Sequence, residues 1–340
     1  MSFPDANRSV SVTALLAVHN RLELTRRCLA CLRANASAVA KLDIIVIDDG
    51  SADGTAEWLA AQEMVTVLKG DGSLWFGGAI DLGLRFLLGR TATPDFVLLI
   101  NNDTFLKDGA LARMLESASE RDVVAAAYWT EDTKKVSSAA FLWRRWHGLI
   151  NIVTSPIWQK SRANFQRVVQ VDAVATTVVL VPMPILRVAV LPDAKMHPHN
   201  RYDAILSARL RQVGARFFCN TAVLADHLYG APILRPTART MRVGQFLRES
   251  FFNKRSVFHF VGGLVLAWEA APTWLDSYIA VFARLAVFLR QLVGVIIFSI
   301  KAQHHRPRSI VLVSILLYQI AFCLHYQAGI QSRCHQSYYG

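Results

Sequence analysis

The chain has 340 residues, 53% of them hydrophobic and only 18% charged, with a formal net charge of +12. That length can bury a full core in one large domain or in a domain with an appendage, and the composition is greasier than that of an ordinary soluble enzyme. The charge is uneven: residues 231–340 hold 12 Lys and Arg against 3 Asp and Glu, a net +9 and about three quarters of the excess. Those basic residues interleave with Phe, Trp and Leu, which fits an anionic membrane surface and argues against nucleic acid, whose binding faces seldom carry so much aliphatic surface. Residues 1–11 lack the n-region and h-region of a signal peptide, and Cys28, Cys31, Cys219, Cys323 and Cys334 form no disulfide framework, so a reducing cytoplasmic setting is expected.

In chain order, Val12 to Val18 reads as a strand closed by His19-Asn20-Arg21, and Glu23 to Arg33 as a helix. A second strand, Leu42 to Ile47, stops at Asp48-Asp49-Gly50-Ser51. Thr55 to Ala61 is helical and Val65 to Leu68 extended. After a turn at Gly70 to Gly72, Ala79 to Leu88 has helical spacing. The run Phe96-Val97-Leu98-Leu99-Ile100 reads as a buried strand ending abruptly at Asn101-Asn102-Asp103. A helix from about Gly109 to Ser117 and a strand, Val123 to Ala127, follow. The pattern then breaks into an aromatic and basic stretch with Trp143, Arg144, Arg145, Trp146 and Trp158. Val168 to Val181 is a long strand candidate, Arg201 to Val213 a helix ending at Gly214, and Arg216 to Leu224 a last strand before Asp226-His227. Strands alternating with helices imply a mainly parallel sheet covered on both faces, with ligands at the carboxyl ends of the strands.

The order of these segments carries a resemblance. A first strand closed by HNR, a DDGS loop, a glycine-rich turn from Gly72 to Gly83, a strand ending in NND and a helix ending in R-L-R-x-x-G resemble the inverting glycosyltransferases of family 2. The resemblance implies a Rossmann-like GT-A fold over residues 1–230 and a membrane-associated helical tail over 231–340. It also implies transfer of one sugar, with inversion, from a nucleotide-sugar donor to a membrane-held glycan or glycolipid acceptor. The glycine segment with Trp75 looks like that of rhamnosyl- and galactofuranosyl-transferases, so dTDP-rhamnose leads as donor and UDP-sugars follow.

Each motif then receives a role. Neutralising the charge that grows on a departing diphosphate calls for Mg2+ or Mn2+ held by hard oxygen ligands. Asp103 matches the last acid of the family's D-x-D motif. Asn101 replaces the first, and His227 matches a histidine that joins the metal or diphosphate. The resemblance gathers His19, Asn20, Asp48, Asp49, Gly72, Trp75, Gly78, Asp81 and Asn102 around the donor, with Asp49 on its base or ribose and the small residues letting backbone approach the diphosphate. Ser73 and Asp81 stand where Asn is commoner.

Inversion needs a base for the acceptor hydroxyl. Counting back from Gly214 puts Arg211 and Arg209 on the family's two arginines and Asp203 on the acid of its E-D-x-D segment, with Tyr202 in place of the Glu and Ile205 in place of the second Asp. The Q-x-x-R-W signature of processive members is missing, because Gln303-His304-His305-Arg306 runs into Pro307. His197 and His199 flank Pro198 just before Asp203, on a stretch that reads as a plain loop and whose alternative role is to line the acceptor pocket. The tail has three apolar stretches, Val257 to Trp268, Tyr278 to Ile300 and Ile310 to Leu324, expected to lie on the cytoplasmic face of the membrane or to provide a short membrane segment. Two other readings stand beside this one: a nucleotidyltransferase, which would show a glycine-rich loop with Arg and Lys after the first strand, and a non-catalytic membrane-associated scaffold that kept the fold.

Overall fold

The computed structural model describes residues 10–144, 148–155, 158, 168–199, 201–228, 241–254, 256 and 259–302. The chain divides into two compact units, the first made of Met1–Ile233 with Asn253–Arg284 and the second of Leu234–Phe252 with Leu285–Gly340.

The first unit is built on one large sheet. Strands β1 (Ser11–Val18), β2 (Lys41–Asp48), β3 (Val65–Lys69) and β4 (Phe96–Ile100) fall within a residue or so of their sequence limits, because each is a β-branched or aliphatic run bounded by turn residues. The order β10-β13-β6-β12-β4-β1-β2-β3 brings in β6 (Asp122–Thr130), β10 (Val168–Val171), β12 (Val178–Pro182) and β13 (Arg216–His227). Two short strands, β5 (Thr104–Leu106) and β7 (Lys135–Ser138), pair with β13 and β6. The stretch β4-β1-β2-β3 is parallel, as is the β13–β6 pair, whereas β12 runs antiparallel to both β4 and β6. The sheet is therefore mixed at its centre rather than parallel throughout. Every residue of β4 is buried, and β1, β2, β6 and β12 contribute the bulk of the aliphatic core.

The expected strand from Val168 to Val181 divides into three. After β10 the chain turns at Asp172 into β11 (Ala173–Val174), which pairs in a second sheet, and only then enters β12. That second sheet, β11-β8-β9 with β8 (Ala140–Arg144) and β9 (Gly148–Asn151), takes up the aromatic stretch and buries Trp143. Periodicity could not separate β10, β11 and β12, because an uninterrupted apolar run looks the same whether or not it changes sheets. Arg145 and Trp146 lie outside the described residues.

The helices before the last strand are α1 (Leu22–Ala34), α2 (Thr55–Ala60), α3 (Trp75–Leu88), α4 (Ala110–Leu115), α5 (Met183–Val188) and α6 (Tyr202–Gln212). Helix α3 starts four residues before the apolar periodicity does, directly out of the glycine-rich turn. A β-carbon at Gly83 would stand 2.6 Å from Leu15 Cδ1 and 2.8 Å from Ile47 Cδ1, so this glycine lets α3 press onto β1 and β2.

Residues 253–284, which the sequence groups with the tail, pack in the first unit. Helix α8 (Phe260–Ala270) is fixed to α6 by the two arginines of the R-L-R segment. Arg209 pairs with Glu269 through Nε–Oε2 and Nη2–Oε1 contacts of 2.8 Å each, and Arg211 Nη2 donates to the Ala270 carbonyl at 2.6 Å. A guanidinium on the last carbonyls of α8 completes a helix end that would otherwise lack partners. In the second unit, α7 (Val243–Phe251) sets Phe246 and Phe251 against Phe288, with ring centroids 5.7 and 5.6 Å apart. Helix α9 (Trp274–Ala302) begins in the first unit and continues in the second. Over Trp274–Ser299 it is, by length and composition, the one helix among the described residues long and apolar enough to cross a membrane. The expected apolar stretch at 310–324 and the expected boundary at 230 lie outside the described residues.

Candidate active site

At the carboxyl ends of β1, β2 and β3, three loops of unusual backbone meet. Asn20 and Arg21 take φ values of 58° and 65°, and Gly50 and Gly72 values of 69° and 84°. A β-carbon on Gly50 would lie 3.0 Å from both N and Cα of Gly72, so the DDGS loop and the glycine-rich turn touch backbone to backbone; this close approach calls for glycine at 50, and the φ of 84° calls for it at 72.

Asp49 joins these loops. Its Oδ1 accepts from the Gly72 N–H at 2.8 Å and the Leu74 N–H at 3.2 Å, and its Oδ2 from the Trp75 N–H at 2.8 Å. A buried carboxylate thus anchors the start of α3, where it also complements the positive end of the helix. His19 Nδ1 lies 2.6 Å from the Asp49 carbonyl oxygen. Asp48 acts more locally, because its Oδ1 accepts from the Ser51 N–H at 3.1 Å and from the Ser51 hydroxyl, which closes the turn. Asn20 Oδ1 accepts from the Ala52 N–H at 2.9 Å and its own N–H donates to Ser51 Oγ at 2.7 Å, tying the HNR loop to the DDGS loop.

These loops surround a cavity of about 320 Å³ lined by His19, Arg21, Asp49, Gly72, Trp75, Asn102 and His199, with Ala17, Val18, Phe76 and Ala79 as its apolar wall. The Trp75 ring stands 40% exposed at φ 55°, edge-on to His199 at 5.7 Å between centroids. Gly78 and Asp81 do not line this cavity. Asp81 faces away, held by Arg85 Nε at 2.7 Å and accepting from the Tyr202 hydroxyl at 3.2 Å. Burial pushes the Tyr202 phenol well above its usual range, so Tyr202 remains a hydrogen-bond donor to Asp81 and links α6 to α3.

The NND end of β4 divides its three side chains. Asn102 is buried and donates through Nδ2 to Thr25 Oγ1 at 3.2 Å while lining the cavity. Asp103 Oδ2 pairs with Arg21 Nη1 at 2.9 Å, while its Oδ1 lies 3.5 Å from His227 Nδ1. That Oδ1 and Asn101 Oδ1 are both buried without a hydrogen-bond partner among the described residues. His227 Nδ1 stands 2.9 Å from the Thr104 hydroxyl oxygen, and burial lowers its pKa against the opposing pull of Asp103, so the ring is neutral at neutral pH. Among the described residues no three or more His, Cys, Asp or Glu gather into a metal cluster. Two open oxygens beside a neutral imidazole suit a hard cation that draws its remaining ligands from a bound diphosphate.

Asp203 opens the first turn of α6. It is half-buried, its Oδ1 accepts from the Ala204 N–H at 2.8 Å, and burial raises its pKa above the ordinary carboxylate value. Sequence reasoning missed Arg21 as a partner of Asp103. The available signal was positional, since Arg21 directly follows the last residues of a strand whose end faces the ligand edge. His199, left on a plain loop by the sequence, reaches the cavity because the Pro198 carbonyl accepts from the Gly77 N–H at 2.7 Å and holds that loop on α3.

Asp49→Ala removes three part-buried hydrogen bonds, to the Gly72, Leu74 and Trp75 N–H groups, each contributing about 0.5–1.5 kcal/mol. We therefore expect a lowered Tm together with weakened nucleotide binding in a thermal-shift titration, and a wild-type Tm would contradict the anchoring role.

Residues 13–174 match the sequence model described as glycosyl transferase family 2. The undecaprenyl-phosphate mannosyltransferase of Micrococcus luteus is 27% identical over 177 residues, which cover 48% of this chain and 71% of that protein. Among solved structures, GalNAc-T7 with UDP, GalNAc and Mn2+ superposes with a TM-score of 0.52 at 12% identity, over 88% of this chain but only 58% of the length of the other. S. aureus TarS 1-349 in complex with UDP-GlcNAc gives a TM-score of 0.50 at 12% identity, over 83% of this chain and 72% of that one. At such identities the superpositions speak for the fold, and the sequence match speaks for the family. Residues 13–174 thus match glycosyl transferase family 2, and the fold that carries them is GT-A.

Proposed function

We propose that the protein transfers a single sugar, with inversion, from a nucleotide-sugar donor to a lipid-linked or otherwise membrane-held glycan, at the cytoplasmic face of the plasma membrane, in cell-surface polysaccharide assembly. The observation that carries this reading is the cavity between the HNR loop, the DDGS loop and the start of α3, with Asp103 and its open oxygen at the end of β4 and Asp203 at the start of α6. The donor's nucleoside would lie along Asp49, His19 and Trp75. dTDP-rhamnose is the first donor to try and UDP-sugars the next. A bound Mg2+ or Mn2+, held by Asp103 with Asn101 and His227, would supply charge neutralisation of the diphosphate. Arg21 adds a permanent positive charge on the same side. Asp203 accepts the proton of the acceptor hydroxyl as its oxygen bonds to the anomeric carbon, and the nucleoside diphosphate departs from the opposite face.

The relative in Micrococcus luteus is named for a lipid phosphate, which supports a membrane-held acceptor. Support within the chain comes from the surface near the start of α9, where Trp268, Trp274, Tyr278 and Phe282 are exposed. Tyr278 meets Trp268 and Trp274 edge to face at 5.4 and 6.1 Å. Clustered exposed aromatics suit the headgroup level of a bilayer. The basic residues of the tail would each add about 1 kcal/mol near an anionic surface, screened by salt. We therefore expect the full chain to sediment with membranes, to be released in part by high salt and fully by alkaline carbonate. Retention through carbonate would instead establish that α9 or a later segment spans the bilayer.

A further inference from the structure

Away from the donor cavity, on the other side of the loop that carries His199, three nitrogen-bearing side chains converge on the first turn of α8. A β-carbon at Gly262 would lie 2.8 Å from His259 Nδ1, 3.5 Å from Arg201 Nη1 and 3.5 Å from His197 Cε1. They come from the loop before α6, the residue that opens α6, and the residue that opens α8. Arg201 sits at φ 73°, a conformation an arginine seldom adopts, and its Nη1 donates to the Ser256 carbonyl at 3.3 Å.

His259 Nδ1 accepts from the Gly262 N–H at 3.1 Å, so the neutral ring carries its proton on Nε2 and offers that as a donor. His197 is only 3% exposed, and its imidazole makes no hydrogen bond to any of the described residues. Further charge on this side is cationic: Arg284 and Lys254 act on Arg201, His197 and His259, against Asp193 as the one acid that acts on His197. Burial first, and Arg201 next, hold the His197 pKa down to about 4.

With Arg201, Arg284 and Lys254 gathered around these rings, a ligand held here is an anion, and the position says which kind. His197 is two residues from His199 of the donor cavity, and Arg201 is two residues from Asp203. The exposed aromatics Trp268 and Trp274 lie at the far end of α8 and the start of α9. Resting on the glycosyltransferase reading above, we propose that His197, Arg201 and His259, with Arg284, form a binding site for the phosphate of a lipid-linked acceptor. The phosphate is a handle and not the nucleophile. Held there, it leaves the acceptor sugar's hydroxyl to reach Asp203.

The test is co-sedimentation of the full chain with phosphatidylcholine vesicles containing either polyprenyl monophosphate or phosphatidylglycerol at equal total charge. Wild type should bind the polyprenyl phosphate vesicles at least tenfold tighter. Arg201→Gln and Arg284→Gln should lose that preference while binding phosphatidylglycerol vesicles as before. Millimolar inorganic phosphate should erase the preference without raising the Tm of either variant. Equal binding of both vesicle types by wild type, or a preference that survives in both variants, overturns the site. A Tm rise with inorganic phosphate in wild type only, with no vesicle preference, would assign the site to free phosphate and overturn the lipid assignment. A thermal-shift titration with UDP and dTDP in Mn2+ is run alongside. Failure of wild type there sinks the glycosyltransferase reading, whereas failure of the vesicle preference alone sinks only this one.

Discussion

Asp203→Asn is expected to bind nucleotide sugar almost normally and to transfer sugar at least a hundredfold more slowly. A general base contributes roughly 10² to 10⁴ in rate, about 3 to 5 kcal/mol of barrier, and little to donor affinity. The substitution is conservative in structure, since an amide oxygen at Oδ1 still accepts from the Ala204 N–H, as the carboxylate does at 2.8 Å. The pH profile gives a second readout. Asp203 must be ionised to take a proton, and burial raises its pKa. The wild-type rate should therefore fall on acidification at a pH above the usual carboxylate range near ~3.9, and the variant should lack that limb. A variant keeping more than about a tenth of the wild-type rate is outside the range for a lost base and moves the role to Asp193 or Asp226.

Asp103→Asn should abolish turnover that depends on divalent cations while leaving the fold intact. The carboxylate is the one charged ligand at the end of β4, and losing it removes a share of transition-state charge stabilisation worth several kcal/mol, or about a hundredfold or more in rate. Stability should barely change. Arg21 is 47% exposed in its ion pair with Asp103, pairs of that kind contribute about 0–1 kcal/mol, and Asn still offers Arg21 an acceptor. Asn101→Asp should be tolerated. Unchanged activity in Asp103→Asn, measured across a Mn2+ titration, would remove Asp103 from the mechanism.

Much of the fold was legible because its first half is assembled from short, uninterrupted apolar strands with acids at their ends. Phe96 to Ile100 is buried at every position, and its five-residue length between turn residues made a central strand the natural reading. The direction of β12 was not legible, since Val178 to Pro182 has the same composition whether it runs parallel or antiparallel to β4. Nor was the return of α8 to the first unit. It depends on Arg209 and Arg211 meeting Glu269 and the Ala270 carbonyl some sixty residues on, a pairing with no local signature.

In the site, the DDGS and NND motifs marked the correct loops, but the roles of individual side chains required coordinates. Asp48 closes its own turn, Asp49 commits both oxygens to the start of α3, and Asp81 turns to Tyr202 and Arg85. The Tyr202 to Asp81 hydrogen bond joins two positions that each depart from the family's pattern, which the sequence showed only as separate substitutions.

The most direct test of sugar transfer is to incubate the full chain with its membranes, Mn2+ or Mg2+, and a panel of nucleotide sugars led by dTDP-rhamnose, then to follow sugar into the lipid-extractable fraction. Metal-dependent incorporation of one sugar per acceptor is expected from one donor, with the anomeric configuration opposite to that of the donor. Retained configuration would contradict the direct displacement. No incorporation from any donor, together with no nucleotide-dependent rise in Tm, would contradict the enzyme and leave a scaffold that kept the fold.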